Sequence, residues 1–549
     1  MTIKRYIANA DNTITNAFKP NLSTRGTGSN MGLADSLEIF SIYGQASSSA
    51  EQYSQELSRV LVQFPVDEIV TDRTNGDIPA SGSVSFYLRL YNAEHPFTLP
   101  SNFDLCVHPI RQVWAEGRGL DMDEYSDLTY DGTGSNWLRA SSGSGGVVSW
   151  TSPGGYYFGE DAPATTYTVN FQKGTEDLEL DISELVEQWI EYAGGGGGGK
   201  ANYGVIVKLT GSLEGYSATT GDDNIITNTT GSRESYYTKK FYARGSEYFF
   251  KRPCIEARYD ESNKDDRGNF YYSSSLADGD SNLNTIYLYN YVRGKLADIP
   301  GIATDYSGKI YVSFFSGNLD NDAISDTPKP LECVTTTDFV SSGNPHVVTG
   351  GYVSTGIYSA SVALTSAASP LTRIFDVWWT GSHSQQSSIT SGATRFTTGS
   401  FAPETLLSSP IYETPVYSSK ITNLKSVYGP KEKTRFRLFI REVGEDYNVF
   451  SKATNEAQNT IIEDAYYRVF RVTDDFEIIN FGTGSSAPGA FQAKTDYTRL
   501  SFDVSGNYFD FDTSLLENGY SYGIKFAYYD GETYLEQPEV FKFRIEDKT

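Results

Sequence analysis

The stretch Leu178–Leu209, LELDISELVEQWIEYAGGGGGGKANYGVIVKL, contains a strand, one short helix, a run of glycines and a second strand. At its start Leu178 and Leu180 alternate with polar residues, which is typical of a half-buried strand. The apolar residues that follow are spaced i, i+3, i+4 and i+7 and predict one amphipathic helix: Ile182, Leu185, Val186 and Trp189. Asp181 and Glu184 have the spacing of a capping box at the helix start. Because the rest of the chain alternates like strands, we expect this helix to lie across one end of a β-sandwich and to cap its core.

The composition describes a long, acidic, aromatic-rich chain. Its 549 residues predict several domains, and its 40 Tyr and 31 Phe favour strands. The formal charge of -25 argues against a nucleic-acid partner, because binding to phosphates requires concentrated Lys and Arg. No apolar run reaches the length of a membrane span, so we expect no membrane partner.

The beginning of the chain and its cysteines bear on where the protein is made. The opening MTIKRYIANADNTITNAF lacks the apolar run of a signal peptide. The three cysteines are far apart and form no CxxC or Cys/His cluster, so neither a disulfide framework nor a zinc site is expected: Cys106, Cys254 and Cys333. We therefore expect synthesis in a reducing cytosol and, for any role outside the cell, release by a route such as lysis. The polar segment Met1–Arg25 is predicted to be a loosely structured arm.

Alternating apolar residues recur along the chain and predict an all-β fold. The clearest strands are Val84–Tyr91 (VSFYLRLY) and Arg435–Arg441 (RFRLFIR), and Glu261–Gly268 (ESNKDDRG) resembles a linker. Strand spacing with Ser- and Gly-rich loops is typical of small sandwiches. The sequence thus predicts three β-sandwich domains in series: an N-terminal arm plus a jelly roll at 1–260, an immunoglobulin-like sandwich at 261–405 and a C-terminal immunoglobulin-like sandwich at 406–549.

No residue pattern indicates catalysis. Ser–His–Asp triads are spatial, but no GxSxG segment occurs, and the four histidines have no motif around them: His95, His108, His346 and His383. No named pair among the many carboxylates supports glycoside cleavage. Gly194–Gly199 lacks the Lys-Ser/Thr ending of a phosphate-binding loop and is read as a flexible linker. We expect a protein that is not an enzyme and holds no cofactor.

Two acidic loops are candidates for a bound Ca²⁺ ion. The first contains Asp121, Asp123 and Asp127, with Glu124 and Asp131 nearby, and the second contains Asn318, Asp320 and Asp322. Oxygen ligands at alternate positions suit Ca²⁺, but the second loop lacks the glycine and the final acid of an EF-hand loop. An acidic chain also forms such clusters by chance. A Ca²⁺ site and a solvated acidic loop are therefore both possible interpretations of each segment.

Three tryptophans flank or lie in the long polar loop Ala115–Gly155: Trp114, Trp137 and Trp150. Loops of this length are uncommon unless they have a function. The tryptophans are candidates for an exposed glycan-stacking or partner-contact surface. The alternative, which we favour, is that they cover the ends of the sandwich.

Six segments follow one another in the order found in DNRLRE-type domains: RVLVQFPV, VSFYLRLY, WAEGRGLD, VSWTSPGG, LELDISELVEQWI and NYGVIVKL. The resemblance covers about residues 35–260, although the DNRLRE string itself is absent. Those domains are non-enzymatic jelly-roll sandwiches related to carbohydrate-binding modules. The resemblance therefore implies a jelly roll and implies no catalytic residues.

The whole chain also resembles virion structural proteins of contractile-tailed bacteriophages of marine cyanobacteria, through MTIKRYIANADNTITNAF, SVSFYLRLYNA and KRPCIEARY. This resemblance implies a homo-oligomeric tail, neck or baseplate accessory component that contacts other virion proteins and is assembled in the host cytoplasm. Strand edges and aromatic faces would make the contacts. Met1–Arg25 would be a tether that orders on a partner, and its deletion would leave the sandwiches folded. The alternative is a host-surface glycan-binding adhesin, such as a tail fibre or capsid decoration.

Overall fold

The structure is a computed structural model that divides into two compact units, residues 2–260 and 261–549. The all-β fold class is confirmed, since curled antiparallel sheets in sandwich-like arrangements account for nearly all the regular structure. The division of the second unit near residue 405 stays a prediction. The residues described are 2–43, 55–95, 99–120, 133–142, 146–159, 166–195, 198–218, 224–234, 236–274, 276, 278–302, 309–334, 340, 344–365, 371–381, 392–404, 415–443, 459–483 and 495–547.

The first unit contains thirteen strands and two α-helices in its described part. In chain order they are β1 (Ile3–Ile7), β2 (Ala10–Thr15), β3 (Ser36–Tyr43), β4 (Gln55–Gln63), α1 (Val66–Asn75), β5 (Val84–Leu90), β6 (Phe103–Pro109), β7 (Arg139–Ser141), β8 (Val148–Ser149), β9 (Tyr167–Phe171), β10 (Leu178–Asp181), α2 (Ser183–Ala193), β11 (Val205–Leu209), β12 (Tyr236–Tyr242) and β13 (Cys254–Tyr259). The smaller sheet has the order β1-β13-β5-β10. The larger sheet has the order β12-β3-β4-β11-β6-β9, with β2 also paired to β4. Apolar side chains from both sheets form one core.

Helix α2 buries the stripe predicted from its spacing, because Ile182, Leu185, Val186 and Trp189 all belong to the core of the first unit. The predicted capping box does not form. Instead, the Asp181 carboxylate accepts hydrogen bonds from the Ser183 N–H at 2.9 Å and the Ser183 hydroxyl at 2.6 Å. Helix α1, which packs against α2, was not predicted. Its apolar stripe is too short to stand out, although Pro65 before it and the left-handed Gly76 after it are the usual boundary signals. None of the described helices is long and apolar enough to span a membrane.

The prediction of a loosely structured N-terminal arm is wrong. Strand β1 pairs along its length with β13, and β2 pairs with six residues of β4. Ile3, Tyr6 and Ile14 are almost fully buried. The polar residues that suggested an arm are themselves buried and hydrogen-bonded. For example, Asn12 donates to both Ser135 oxygens. The segment is therefore part of the fold and is not available as a free tether.

Deleting residues 2–15 should prevent stable folding of the first unit, or lower its free energy of unfolding by at least about 5 kcal/mol, since three large apolar side chains lose their burial. Scanning calorimetry of the full chain measures the effect. Because the deletion can abolish folding outright, Ile14→Ala is a milder test of the same burial. It should lower the free energy of unfolding by about 2–5 kcal/mol. The exposed Leu22→Ala is the matched control, with an effect within about 0.5 kcal/mol. A deletion variant with a normal transition would contradict the pairing of β1 and β2.

The second unit contains eighteen strands in its described part. They are β14 (Asn284–Tyr289), β15 (Tyr291–Val292), β16 (Lys295–Leu296), β17 (Ile310–Ser316), β18 (Val348–Ser354), β19 (Ile357–Val362), β20 (Ile374–Thr380), β21 (Thr394–Phe401), β22 (Tyr417–Ile421), β23 (Val427–Tyr428), β24 (Lys433–Glu442), β25 (Ala465–Arg471), β26 (Phe476–Ile479), β27 (Ser501–Asp503), β28 (Gly506–Asp512), β29 (Ser521–Tyr529), β30 (Tyr534–Glu536) and β31 (Phe541–Ile545). One sheet has the order β14-β19-β18-β17-β20-β21. Two further sheets have the orders β22-β24-β28-β27 and β23-β31-β29-β25-β26, the second with β30 also paired to β29, and β15 pairs with β16 in a two-stranded sheet.

The segment Glu261–Gly268, predicted to be a linker, is instead bound on two sides within the second unit. Its backbone exchanges hydrogen bonds with strand β27, where the Asp265 N–H donates to the Phe502 carbonyl at 3.1 Å. On the other side Arg267 forms an ion pair with the fully buried Asp376 at 2.7 Å. The Asp266 carboxylate accepts from the Thr285 N–H at 2.5 Å. The polar composition that resembles a linker thus supplies ion pairs and hydrogen bonds between strands of different sheets.

Two aspartates of this segment titrate at unusual pH. Burial, reinforced by Glu463 and Asp265, raises the pKa of Asp266 to about 7, although the hydrogen bond from Thr285 opposes the shift. Burial also raises the pKa of Asp265 to about 6, against the attraction of Arg267. An unfolded aspartate titrates near 3.9. Because the folded pKa values lie above it, the protonated carboxyls favour folding below about pH 4, and this stabilisation is lost as the pH rises through 6 to 7.

Asp266→Asn should therefore flatten the pH dependence of stability of the second unit between about pH 4 and 8. The amide oxygen of the asparagine still accepts a hydrogen bond from the Thr285 N–H, but the asparagine side chain cannot ionise. The variant should therefore avoid the loss of up to about 4 kcal/mol in the free energy of unfolding that ionisation of Asp266 causes at high pH. Calorimetry of the full chain across this range measures the slope. The exposed Glu532→Gln in the same unit is the control and should follow the parent curve. An unchanged slope in Asp266→Asn would refute the assignment.

Candidate functional site

The outer face of the larger sheet is the first place to look for a ligand, since the two sheets enclose only its inner face. Strand β4 is buried on both faces along nearly its whole length. Val60 and Val62 face the core between the sheets. Leu57 and Leu61 face the other way and join Ile206 of strand β11 in a second apolar cluster. The outer face of the sheet is thus covered by other parts of the same unit.

The three candidate tryptophans meet in this second cluster, but they do not form an exposed stacking surface. Trp114, Trp137 and Trp150 are all buried, and Trp137 is completely inaccessible. The Trp114 Nε1–H donates to the Tyr203 carbonyl, and the Trp150 Nε1–H donates to the Asn136 carbonyl, each at 2.8 Å. These rings cover the larger sheet, so no sugar can stack on them without opening the fold.

A buried ion pair lies beneath the tryptophans and was not predicted. Arg59 of strand β4 binds both carboxylate oxygens of Glu214 at 3.0 and 2.9 Å and donates to the Gly154 carbonyl at 2.9 Å. Lys208 lies 3.3 Å from the same carboxylate. Burial alone would raise the pKa of Glu214, but Arg59 and Lys208 hold it below its ordinary value. The signal in the sequence was a charged residue inside the apolar run LSRVLVQF, where only a paired charge can be buried.

Asparagine side chains fix the loops that carry the tryptophans. Asn30 donates to the Glu116 and Ser135 carbonyls at 2.8 Å and accepts from the Gly119 N–H at 2.8 Å. At Gly119 the backbones approach so closely that a Cβ would lie 1.9 Å from the Asn30 carbonyl oxygen. Arg244 also forms an ion pair with Glu116 and donates to both of its carboxylate oxygens. The loop is therefore held at fixed points by side chains far away in sequence.

The first calcium candidate, with Asp121, Asp123 and Asp127, lies outside the described residues. In the second, the Asn318 side-chain amide donates to the Asp322 carboxylate at 2.6 Å, and the Asp322 N–H donates back to Asn318 at 3.2 Å. That loop is thus closed by hydrogen bonds of its own. Within the described ranges, no three His, Cys, Asp or Glu side chains are grouped to hold a metal ion.

The described histidines contact backbone and aromatic groups. His95 accepts from the Lys240 N–H at 3.0 Å, and burial together with the nearby Lys239 lowers the pKa of His95 to about 4. His108 is buried with its ring 4.9 Å from that of Tyr157. His346 lies 3.2 Å from the Leu331 carbonyl. His383 lies outside the described residues. All three cysteines are buried and free.

A half-open cavity of about 630 Å³ lies in the second unit, on the sheet that contains β25, β29 and β31. Two of its lining residues, Phe470 and Val540, pack on Gly523, where a Cβ would lie 2.6 Å from the Phe470 ring. Arg468 is paired with Glu477 and Glu536, whereas Lys542 has no ion-pair partner within the described part of the chain. The lining residues are Arg468, Phe470, Val472, Asp475, Lys525, Val540 and Lys542.

Comparison with known proteins does not assign the chain to a family. No protein-family model matches it, and no curated protein sequence matches it. Among solved structures, the chain is similar to a DUF4785 family protein from Legionella pneumophila, with 7% sequence identity over 98% of this chain and 92% of that chain. The TM-score of the pair is only 0.13.

Glu214→Gln should destabilise the first unit by about 3–5 kcal/mol, because it leaves the buried Arg59 without a countercharge. Urea unfolding followed by tryptophan fluorescence measures this loss, since Trp137 lies beside Arg59. Glu234→Gln, an exposed glutamate in the same unit, is the matched control and should change the stability by less than about 0.5 kcal/mol. Equal stability of the two variants would mean that the ion pair is not buried as described.

Proposed function

We propose that this protein is a non-enzymatic structural component of a bacteriophage particle, a tail, neck or baseplate accessory subunit that binds its neighbours by surface contact. The observation that carries the proposal is the covered outer face of the larger sheet. Side chains suited to ligand binding, including Trp137 and Arg59, are used there to hold the fold together. What the unit offers to other molecules is strand edges and loops, which suit contact between proteins.

The segments that resemble virion structural proteins support the proposal in a second way. They contain the neighbouring strands β1, β13 and β5 of the smaller sheet. Arg5 and Arg258 bind the buried Glu256 at 2.8 and 2.6 Å, and Arg89 lies 3.7 Å from it. Burial would raise the pKa of Glu256, but these three arginines hold it well below its usual range. The segments that carry the resemblance thus form adjacent strands of one sheet around a buried group of ion pairs, as expected for a shared structural role.

A second candidate function, a host-surface glycan-binding adhesin, is favoured by the cavity in the second unit. Its volume of about 630 Å³ is in the range of small-molecule sites. The Phe470 ring offers an apolar surface, and Lys542 offers an unpaired cation among the described residues. This site is independent of the three tryptophans named from the sequence.

The proposal predicts that mass spectrometry of purified particles from the encoding phage detects the chain at a fixed copy number, and that antibodies label the tail or neck. A chain abundant in the lysate but absent from washed particles would overturn it.

A glycan array with the full chain tests the second candidate. Binding lost in Lys542→Glu and kept in the exposed control Lys431→Glu would favour the adhesin.

A further inference from the structure

The connection between strands β12 and β13 presents aromatic side chains to solvent. We call residues 246–252 (SEYFFKR) the aromatic turn. Tyr248 is 48% exposed and Phe249 is 53% exposed, and the segment includes the short 3-10 helix Phe249–Lys251. Large aromatic residues exposed side by side commonly mark an interaction site.

The aromatic turn is held rigid by its own hydrogen bonds. The Tyr248 N–H donates to the Ser246 hydroxyl at 3.2 Å, and the Lys251 N–H donates to the Tyr248 carbonyl at 2.9 Å. The Arg252 guanidinium donates twice to the Ser246 carbonyl, at 3.0 and 2.8 Å. The exposed rings are thus fixed before any partner binds, which reduces the conformational entropy lost on binding.

Cations accompany the rings. The Lys251 ammonium lies 5.0 Å from the centre of the Tyr242 ring and 5.5 Å from that of Tyr248, and Arg252 lies 5.2 Å from that of Phe249. Neither Lys251 nor Arg252 forms an ion pair with a carboxylate among the residues that the structure describes, and Glu247 is the acid within the turn. Aromatic residues with arginine are the composition of interface hot spots.

The charge of the chain indicates which partner suits this surface. At -25 two copies repel each other over most of their surface, so contact between them needs a locally positive patch on one side. We propose that the aromatic turn is the surface by which one copy of this chain binds an acidic face of a second copy. The inference rests on the proposed role as a repeating structural subunit and deepens it. Because the turn would meet a different surface on its neighbour, such a contact builds rings or filaments.

Sedimentation of the purified full chain tests the proposal at about 50 mM and about 500 mM salt. We expect association that rises with protein concentration, and a difference between the parent and Lys251→Glu that is larger at low salt, where the local attraction of Lys251 is least screened. Tyr248→Ser with Phe249→Ser should weaken the association about tenfold or more. Lys251→Glu should do the same, and it should leave folding intact because Lys251 makes no hydrogen bond through its side chain among the described residues.

Two controls separate the aromatic turn from general surface effects. Tyr192→Ser removes a ring with the same exposure as Phe249, 53%, and Lys431→Glu makes the same charge change in the second unit. Both should associate like the parent. A monomer at every concentration, association unchanged in the turn variants, or binding to anionic lipid vesicles without self-association would each overturn the inference. The measurement uses purified protein, so it succeeds or fails independently of whether particles contain the chain.

Discussion

The first unit is organised by the need to bury both faces of one sheet. Strands β4 and β11 run through the middle of the larger sheet and are buried throughout most of their length. One face is covered by the smaller sheet and the helices, while the other must be covered by loops. A loop covers a sheet only if its backbone polar groups are satisfied. The Asn30 side chain and the indole N–H groups of Trp114 and Trp150 meet part of that requirement by binding loop backbone.

The same constraint explains the charges inside the fold. Because Arg59 stands at an outward position of β4 and that face is covered, its guanidinium must have a carboxylate partner in the dry region. Glu214 comes from a turn 155 residues away in sequence. Such a pair adds little net stability compared with apolar residues, but it penalises any other docking of the turn. We take its role to be the correct placement of the covering loops.

Local features of the fold could be predicted from the sequence, and long-range ones could not. The apolar face of β5, the alternation of β24 and the stripe of α2 depend on neighbours within a few residues, and the structure has them as expected. The pairing of β1 with β13 joins residues about 250 positions apart, and nothing local distinguishes it from a free arm. The favoured expectation placed Trp137 over a sandwich end, and it is buried over the outer face of the larger sheet. Which surface it covers could not be predicted for the same reason, because the strands of that sheet lie elsewhere in the sequence. A charged residue inside an apolar run, as at Arg59, Arg89 and Glu256, was the available signal.

Inside the described parts of the protein the buried charges nearly cancel. The buried cations are Arg59, Arg89, Lys208, Lys239, Arg258 and Arg471, and the buried acids are Asp11, Glu56, Glu214, Glu256, Asp265, Asp376 and Asp512. Among the described residues the excess of acidic over basic side chains therefore lies outside the buried set. Acidic side chains outside the core repel other copies of the chain, and a half-buried cation without an ion-pair partner in the described chain, such as Lys251, is a local exception to that repulsion. An exposed aromatic residue beside such a cation has both the apolar area and the charge that contact with an acidic neighbour requires.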